Sequence, residues 1–401
     1  MSSTNDARVM VKVVSFLAIS GFLYFMLVAG DYVIARFGFG FQVNSQATLI
    51  ESQRKIAEDS PQRAVAISEG FAPIFYPSML EDPHSSLRAL AERYAVAPLA
   101  PQPNTAVYYC NEGYGLLKYT TDKYGFRNKA SVWNKHADIV LIGDSFTHGA
   151  CLEHDQTIVG ALEATLNVVN LGTGGNHPIH YAALAKTFLP RIKPKYAAMI
   201  FYANDNQVFD DLEKSYHYKY YFVENRSYFL DGEKLRSNPD LERFYKEATT
   251  VMRLAINDER EEVQPSFFER EPLLQRASKY LSLPNLRRLL DTFGLIQNRS
   301  ELDLASRLAI DSLVLECQLP ACQPLIVYIP NSEFWRPDSR AKSFEDALAK
   351  RAADLRISFW SASRELSEIP NNAANAIKGP HLSPIGNSIV AKGIKRLVGD
   401  D

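Results

Sequence analysis

Four short apolar runs mark the middle and end of the chain: Ile139-Val140-Leu141-Ile142, Val168-Val169-Asn170-Leu171, Ala197 to Phe201 and Leu325 to Ile329. Apolar residues fill successive rather than alternate positions, which reads as strands buried on both faces of a parallel sheet. Helix-compatible stretches separate them, at Thr157 to Leu166 and about His180 to Leu189. Ser343 to Leu355 predicts the next helix, Ile357 to Trp360 a weaker fifth strand, and Ile389 to Leu397 a closing helix. Alternating strands and helices imply βαβ units with right-handed crossovers, and so an α/β domain.

Outside this pattern the chain is less regular. Val13 to Gly30 carries no charge and is long enough to cross a bilayer as a helix. Arg8 and Lys12 before it and Asp31 after it place the N-terminus in the cytoplasm and export the remainder, although Arg36 weakens the bias. A cleaved signal peptide and a buried core helix are the rival readings. The expected organisation is a tail at 1–12, an anchor at 13–30, a stalk and N-terminal extension at 31–136, and an α/β domain at 137–401 with an insertion at 207–300. Within the extension Leu87 to Tyr94 is helix-compatible, and Pro98, Pro101 and Pro103 break any regular element after it. Asp122 to Asn128, containing Gly-Phe-Arg, is either an edge strand and loop beside the site or a plain surface loop. In the insertion, Tyr220 to Val223 and Tyr228 to Leu230 predict a hairpin, and Leu273 to Leu290 a helix broken at Pro284. The insertion is either a lid or a peripheral subdomain.

A length of 401 residues allows one large or two modest domains, and a net charge of −2 gives no case for nucleic acid. The four cysteines permit Cys317 to pair with Cys322 and Cys110 with Cys151 in an oxidising compartment, or to remain buried thiols. No cysteine and histidine spacing reads as a zinc site. His148, His154, His177 and His180 lie near the motifs but lack ligand spacing, so polar loop residues are expected there and no metal or other cofactor is implied.

The candidate chemistry lies at Asp138 to Gly149. After the first strand Gly143 permits a tight turn, Asp144 can cap a helix, and Ser145 falls at the carboxyl end of the strand, where open α/β sheets bind ligands. Alone, Gly-Asp-Ser would read as an N-cap. Three further blocks come after it in order. Asn170-Leu171-Gly172-Thr173-Gly174-Gly175 succeeds the second strand, Asn204 the third, and His381 to Asn387 precedes the closing helix. The four together resemble the blocks of the SGNH (GDSL-type) hydrolases, over about Ala137 to Asn206 and Leu325 to Leu397. The resemblance implies a flavodoxin-like three-layer parallel sheet. It also implies Ser145 as nucleophile, His381 as general base and acid, and an oxyanion hole built from the N–H groups of Ser145 and Gly172 and the amide of Asn204. Asn176, His177 and Tyr202 are the expected substrate contacts, with a turn role open for the first two.

Two departures from the family pattern carry consequences. Tyr202 stands where the family has glycine, which would narrow the pocket. The family's aspartate, two or three places before the histidine, is replaced by Gly379 and Lys378. A Ser-His dyad oriented by a backbone carbonyl is the simplest repair, and a carboxylate from elsewhere the second. The resemblance implies an acyl-ester hydrolase or O-acyltransferase acting on an acylated glycan or similar ester. It would sit on a bacterial inner membrane through a single helix, with its domain periplasmic or extracellular. The non-enzyme alternative is a catalytically weak or inactive protein that binds carbohydrate or assists polysaccharide assembly.

Overall fold

The computed structural model describes residues 20, 22–30, 61–207, 212–229, 238–261, 301–318, 322–331 and 339–400. The chain divides into two compact units, one of which comprises Asp59–Arg260 and Arg299–Asp401 and carries both β-sheets. In the other, residues 20 and 22–30 are helical. Among the described residues no helix is long and apolar enough to cross a membrane. Much of the expected anchor at 13–30, and all of the expected helix from Leu273 to Leu290, lie outside the described residues.

A small sheet comes first. β1 (Ala72–Pro73) pairs in parallel with β2 (Ala106–Tyr108), which pairs antiparallel with β3 (Lys118–Thr120). Helix α1 (Ser86–Tyr94) lies between β1 and β2, capped by Ser85, whose side chain accepts from the Leu87 N–H. The large sheet contains β4 (Ile139–Ile142), β5 (Val168–Asn170), β6 (Tyr196–Tyr202), β7 (Gln323–Ile329) and β8 (Ser358–Ser361). All its pairings are parallel, in the order β5-β4-β6-β7-β8. All four residues of β4 are fully buried, as a continuous apolar run requires between two helical layers. This strand order is that of the flavodoxin-like fold.

The helices around this sheet include α2 (Ser145–His148), α3 (Ile158–Leu162), α4 (Pro178–Ile192), α5 (Pro239–Glu261), α6 (Leu304–Gln318), α7 (Ser339–Leu355) and α8 (Pro384–Val398). The chain moves from β4 outward to β5 and then back across to β6, so right-handed crossovers put α3 and α4 on opposite faces. α8 packs against α3, and α6 against α4. The reversal opens a crevice at the carboxyl ends of β4 and β6, where Ser145 and Asn204 fall.

The hydrophobic pattern misplaced some elements. The helix expected at Thr157 to Leu166 is shorter, and α5 and α6 stand where none was expected. The expected hairpin is corrected. Tyr216–Tyr218 and Lys219–Val223 are helical, the second stretch wound as a π-helix. The reason is tertiary: the Tyr216, Tyr221 and Tyr245 hydroxyls donate to the carbonyls of Val96, Ala97 and Ala100 at 2.7, 2.5 and 2.6 Å. A helix delivers these donors to the proline-broken stretch, whose carbonyls have no ladder to join.

The Gly-Phe-Arg segment is a buried brace rather than a plain surface loop. Asp122 Oδ1 accepts from the N–H groups of Tyr124 and Phe126, and its Oδ2 from Asn128 and Trp133. Asn128 in turn exchanges two hydrogen bonds with the backbone of Asn170, closing the free edge of β5. Gly125 has φ +95°, and a Cβ there would lie 1.9 Å from the Pro101 carbonyl oxygen.

Candidate active site

β4 ends at Gly143 because nothing larger fits: a Cβ there would lie 2.1 Å from Thr147 Oγ1 and 2.9 Å from Ile200 O. Asp144 then accepts from the Phe146 N–H at 2.9 Å and starts α2, with Ser145 as its first residue. At the other end Gly149 takes φ 78° and closes the helix. Arg127, 5% exposed, donates to Gly149 O and Leu152 O, both at 2.7 Å, and its positive charge suits that helix end.

His381 reaches the serine from the loop before α8. Ser383 caps that helix by accepting from the Gly386 N–H, and Asn387 accepts from the Ile158 N–H, which ties α8 to α3. His381 Nε2 lies 2.8 Å from Ser145 Oγ. Its Nδ1 lies 2.9 Å from Glu112 Oε1, and its backbone N–H donates to Glu112 Oε2 at 3.3 Å. A carboxylate accepting from Nδ1–H leaves the free lone pair on Nε2, facing the serine hydroxyl.

The carbonyl-oriented dyad is therefore corrected, because the Nδ1 partner is a carboxylate from the β2–β3 hairpin. Glu112 also anchors its own backbone: its carbonyl accepts from the Lys378 N–H at 3.0 Å. A Cβ on Gly379 would lie 1.7 Å from Glu112 Cδ. Glycine at 379 thus leaves free the space that the Glu112 carboxyl fills. No spacing rule in the sequence pairs residues 269 positions apart; the one available signal was glycine at a position where the family carries an acid.

The other expected residues differ in how they meet the site. Ser145 N–H belongs to the first turn of α2, where amides lack intrahelical partners. Gly172 packs against α2 so closely that a Cβ would lie 2.6 Å from His148 N. Its N–H, however, donates to Asn170 Oδ1 at 2.8 Å, which corrects the expectation that this amide stands open to an oxyanion. Asn204 is exposed in the turn after β6. Tyr202 is buried, with its ring 4.0 Å from that of Phe146, which lies 4.9 Å from the His381 ring. His177 is the N-cap residue of α4, and Asn176 is 2% exposed with neither amide atom hydrogen-bonded among the described residues.

Burial dominates the electrostatics. It pushes the Asp144 carboxyl up to about 6, against the Phe146 N–H and the charge of His381. Burial and then the nearby Asp144 push Asp205 well above the carboxylate range. His148 and His180 are wholly buried, not loop residues, and burial holds both well below the usual histidine value.

Among the described residues two groups of side chains have metal-like spacing, Glu81 with His180 and His217, and Glu112 with Cys151 and His381. Their donor sets fit a metal poorly. His180 Nδ1 accepts from the His177 N–H, so its Nε2 carries the proton and faces Glu81 Oε1 at 3.6 Å. Cys151 is disulfide-bonded to Cys110, and Cys317 to Cys322.

No protein-family model matches the chain, and no curated protein does. Solved structures similar to it include a lipase/acylhydrolase from Enterococcus faecalis, 15% identical, covering 65% of this chain and 95% of that one with a TM-score of 0.33. A GDSL-like lipase from Bacteroides thetaiotaomicron is 13% identical over 66% and 89%, TM-score 0.33. A catalytic mutant of an acetylxylan esterase from Geobacillus stearothermophilus is 18% identical over 66% and 95%, TM-score 0.32. The fold assignment rests on the strand order, and the site on the geometry of Ser145, His381 and Glu112.

Proposed function

We propose that the chain is an SGNH-type serine esterase or O-acyltransferase working through a Ser145 acyl-enzyme. The observation that carries this reading is the unbroken line Ser145 Oγ, His381 Nε2, His381 Nδ1, Glu112 Oε1, at 2.8 and 2.9 Å. His381 takes the hydroxyl proton as Ser145 attacks the ester carbonyl, then returns it to the leaving alcohol; Glu112 holds the ring and stabilises the imidazolium. The Ser145 N–H and the Asn204 amide are the oxyanion donors in this reading, and Gly172 joins them only if Asn170 releases its N–H. Water as acceptor completes hydrolysis, and a sugar hydroxyl completes transfer. The inactive, carbohydrate-binding alternative drew its strength from the missing aspartate, and Glu112 removes that ground.

The substrate class in this reading is an acylated glycan, and the setting is a single-pass protein of a bacterial inner membrane with its domain outside the cytoplasm. Two disulfides support export, because such bonds persist in oxidising compartments. The uncharged run at 13–30 supports the anchor. The test is release or transfer of acetate from O-acetylated oligosaccharides by the purified full-length protein. Ser145→Ala should lower either activity by at least about 10³-fold. Acetate turnover that survives in Ser145→Ala would place the chemistry elsewhere.

A further inference from the structure

Glu112 is an unusual acid in its origin, since it rides on a loop of the small sheet rather than on the element that carries His381. The loop spans residues 109–117 between β2 and β3, closed by Tyr109 N–H to Leu117 O at 2.9 Å and Leu117 N–H to Cys110 O at 3.0 Å. Its outer turn, Gly113 to Gly115, is exposed, and both glycines take positive φ, 101° and 98°. Little apolar burial holds such a turn, which is the composition of a segment that opens easily. Glu112 is nevertheless 6% exposed.

One covalent link joins this loop to the nucleophile's surroundings. Cys110, two residues before Glu112, is bridged to Cys151, two residues past the glycine that ends α2. The two Cα atoms are 5.0 Å apart. Cys151 Sγ, a Glu112 carboxylate oxygen and a His381 ring nitrogen all lie within 4.8 Å of one another. Two residues of chain span at most about 7 Å, so with the bridge closed Glu112 cannot leave the neighbourhood of α2.

We propose that the Cys110–Cys151 disulfide is the positioning device for the acid, so that Glu112 holds His381 in register only while the bridge is oxidised. The proposal rests on the reading of Glu112 as the orienting acid. The redox step needs a dithiol: its two thiols pass two electrons and two protons to the bridge, giving Cys110–SH and Cys151–SH, and the dithiol closes to its own cyclic disulfide. Cys110 is partly exposed, whereas Cys151 is buried, so the attacking thiolate meets the Cys110 sulfur. The freed loop keeps the Lys378 and His381 backbone contacts and the stacking of Tyr109 on His148, but it loses the covalent tie two residues from Glu112, and with it the fixed Nδ1 partner of His381.

The test uses the full-length protein carrying Cys317→Ser and Cys322→Ser, the first in the last turn of α6 and the second just before β7, away from the carboxyl edge of the sheet. Hydrolysis of p-nitrophenyl acetate is measured before and after dithiothreitol, with and without Glu112→Gln, alongside amide hydrogen exchange over 109–117. Reduction should lower kcat by about 10- to 100-fold with KM nearly unchanged, reoxidation should restore it, and Glu112→Gln should respond by less than about twofold, because its acid function is already gone. Exchange should rise over 109–117 while α2 and α8 stay protected. Equal losses in both backgrounds, an unchanged kcat, or general loss of protection would overturn the proposal. If the oxidised protein hydrolyses no ester at all, the esterase reading fails, and the exchange data alone then decide whether the bridge holds the loop.

Discussion

Gly379 and Glu112 occupy one space between them. A methyl group at 379 would collide with the carboxyl carbon of Glu112, at 1.7 Å, so Gly379→Ala should push the acid off His381 and cut kcat by about 10²-fold with little change in fold stability. The reciprocal exchange is more informative. Glu112→Ala combined with Gly379→Asp removes the long-range acid and installs a carboxylate two places before the histidine, the family's usual position. The double variant should recover activity relative to Glu112→Ala alone, as read by ester hydrolysis; no recovery would mean that the carboxylate does more than orient Nδ1. The proposed nucleophile Ser145 and base His381 were visible in the sequence because each sits beside a local signature, a strand-to-helix turn or a helix cap. Glu112 was invisible because its pairing is made by tertiary contact across 269 residues.

At the level of elements, α2 is only four residues long, and the groups that fix Ser145 come from outside it. Arg127 satisfies the carbonyls of Gly149 and Leu152 at the helix's far end. Arg127→Ala would leave both without that donor in a buried setting and should destabilise the domain by about 2 to 4 kcal/mol, measured by denaturant unfolding, at about 1 to 2 kcal/mol for each lost bond. A loss under about 0.5 kcal/mol would show that water replaces the guanidinium freely. The buried strands were legible because continuous apolar runs have one good solution in a sheet covered on both faces. The aromatic run Tyr220 to Val223 was not, because its tyrosines serve carbonyls of a distant segment, and that demand chose a helix.

Across the molecule, buried carboxyls pull the pH dependence of stability in opposite directions. Burial alone would raise the Glu81 carboxyl, but the hydrogen bond and charge of His217, together with His180 and the Tyr216 N–H, hold it well below its ordinary value of 4.5. A depressed carboxyl contributes stability above its unfolded value and loses it as the pH falls through the acid range. Asp144 is raised from 3.8 to about 6, so the native state binds more protons than the unfolded one within that window, and stability falls as the pH rises through it. Asp205, raised further, extends the decline upward. His148 and His180, held low by burial, bind fewer protons in the native state and add stability as the pH rises through about 6.5, opposing the two aspartates. The melting temperature should therefore fall toward acid pH and peak near about pH 6 to 7. A melting temperature that climbs steadily to about pH 8 would contradict these assignments. The parallel strands and their βαβ units were readable from strand and helix alternation, and their flavodoxin-like order only through the family resemblance. The contribution of residues 61–128, which supply the acid and the brace, was not, because their elements are short and acquire meaning only where they pack.

The decisive measurement is the rate at which a fluorophosphonate probe labels the full-length protein, compared with Ser145→Ala, His381→Ala and Glu112→Gln. A triad of Ser145, His381 and Glu112 predicts rapid labelling of the wild type, none in Ser145→Ala, and losses of about 10²-fold or more in the other two. Labelling of Glu112→Gln at the wild-type rate would remove Glu112 from the triad, and a folded wild-type protein that takes up no probe would contradict the activated serine itself.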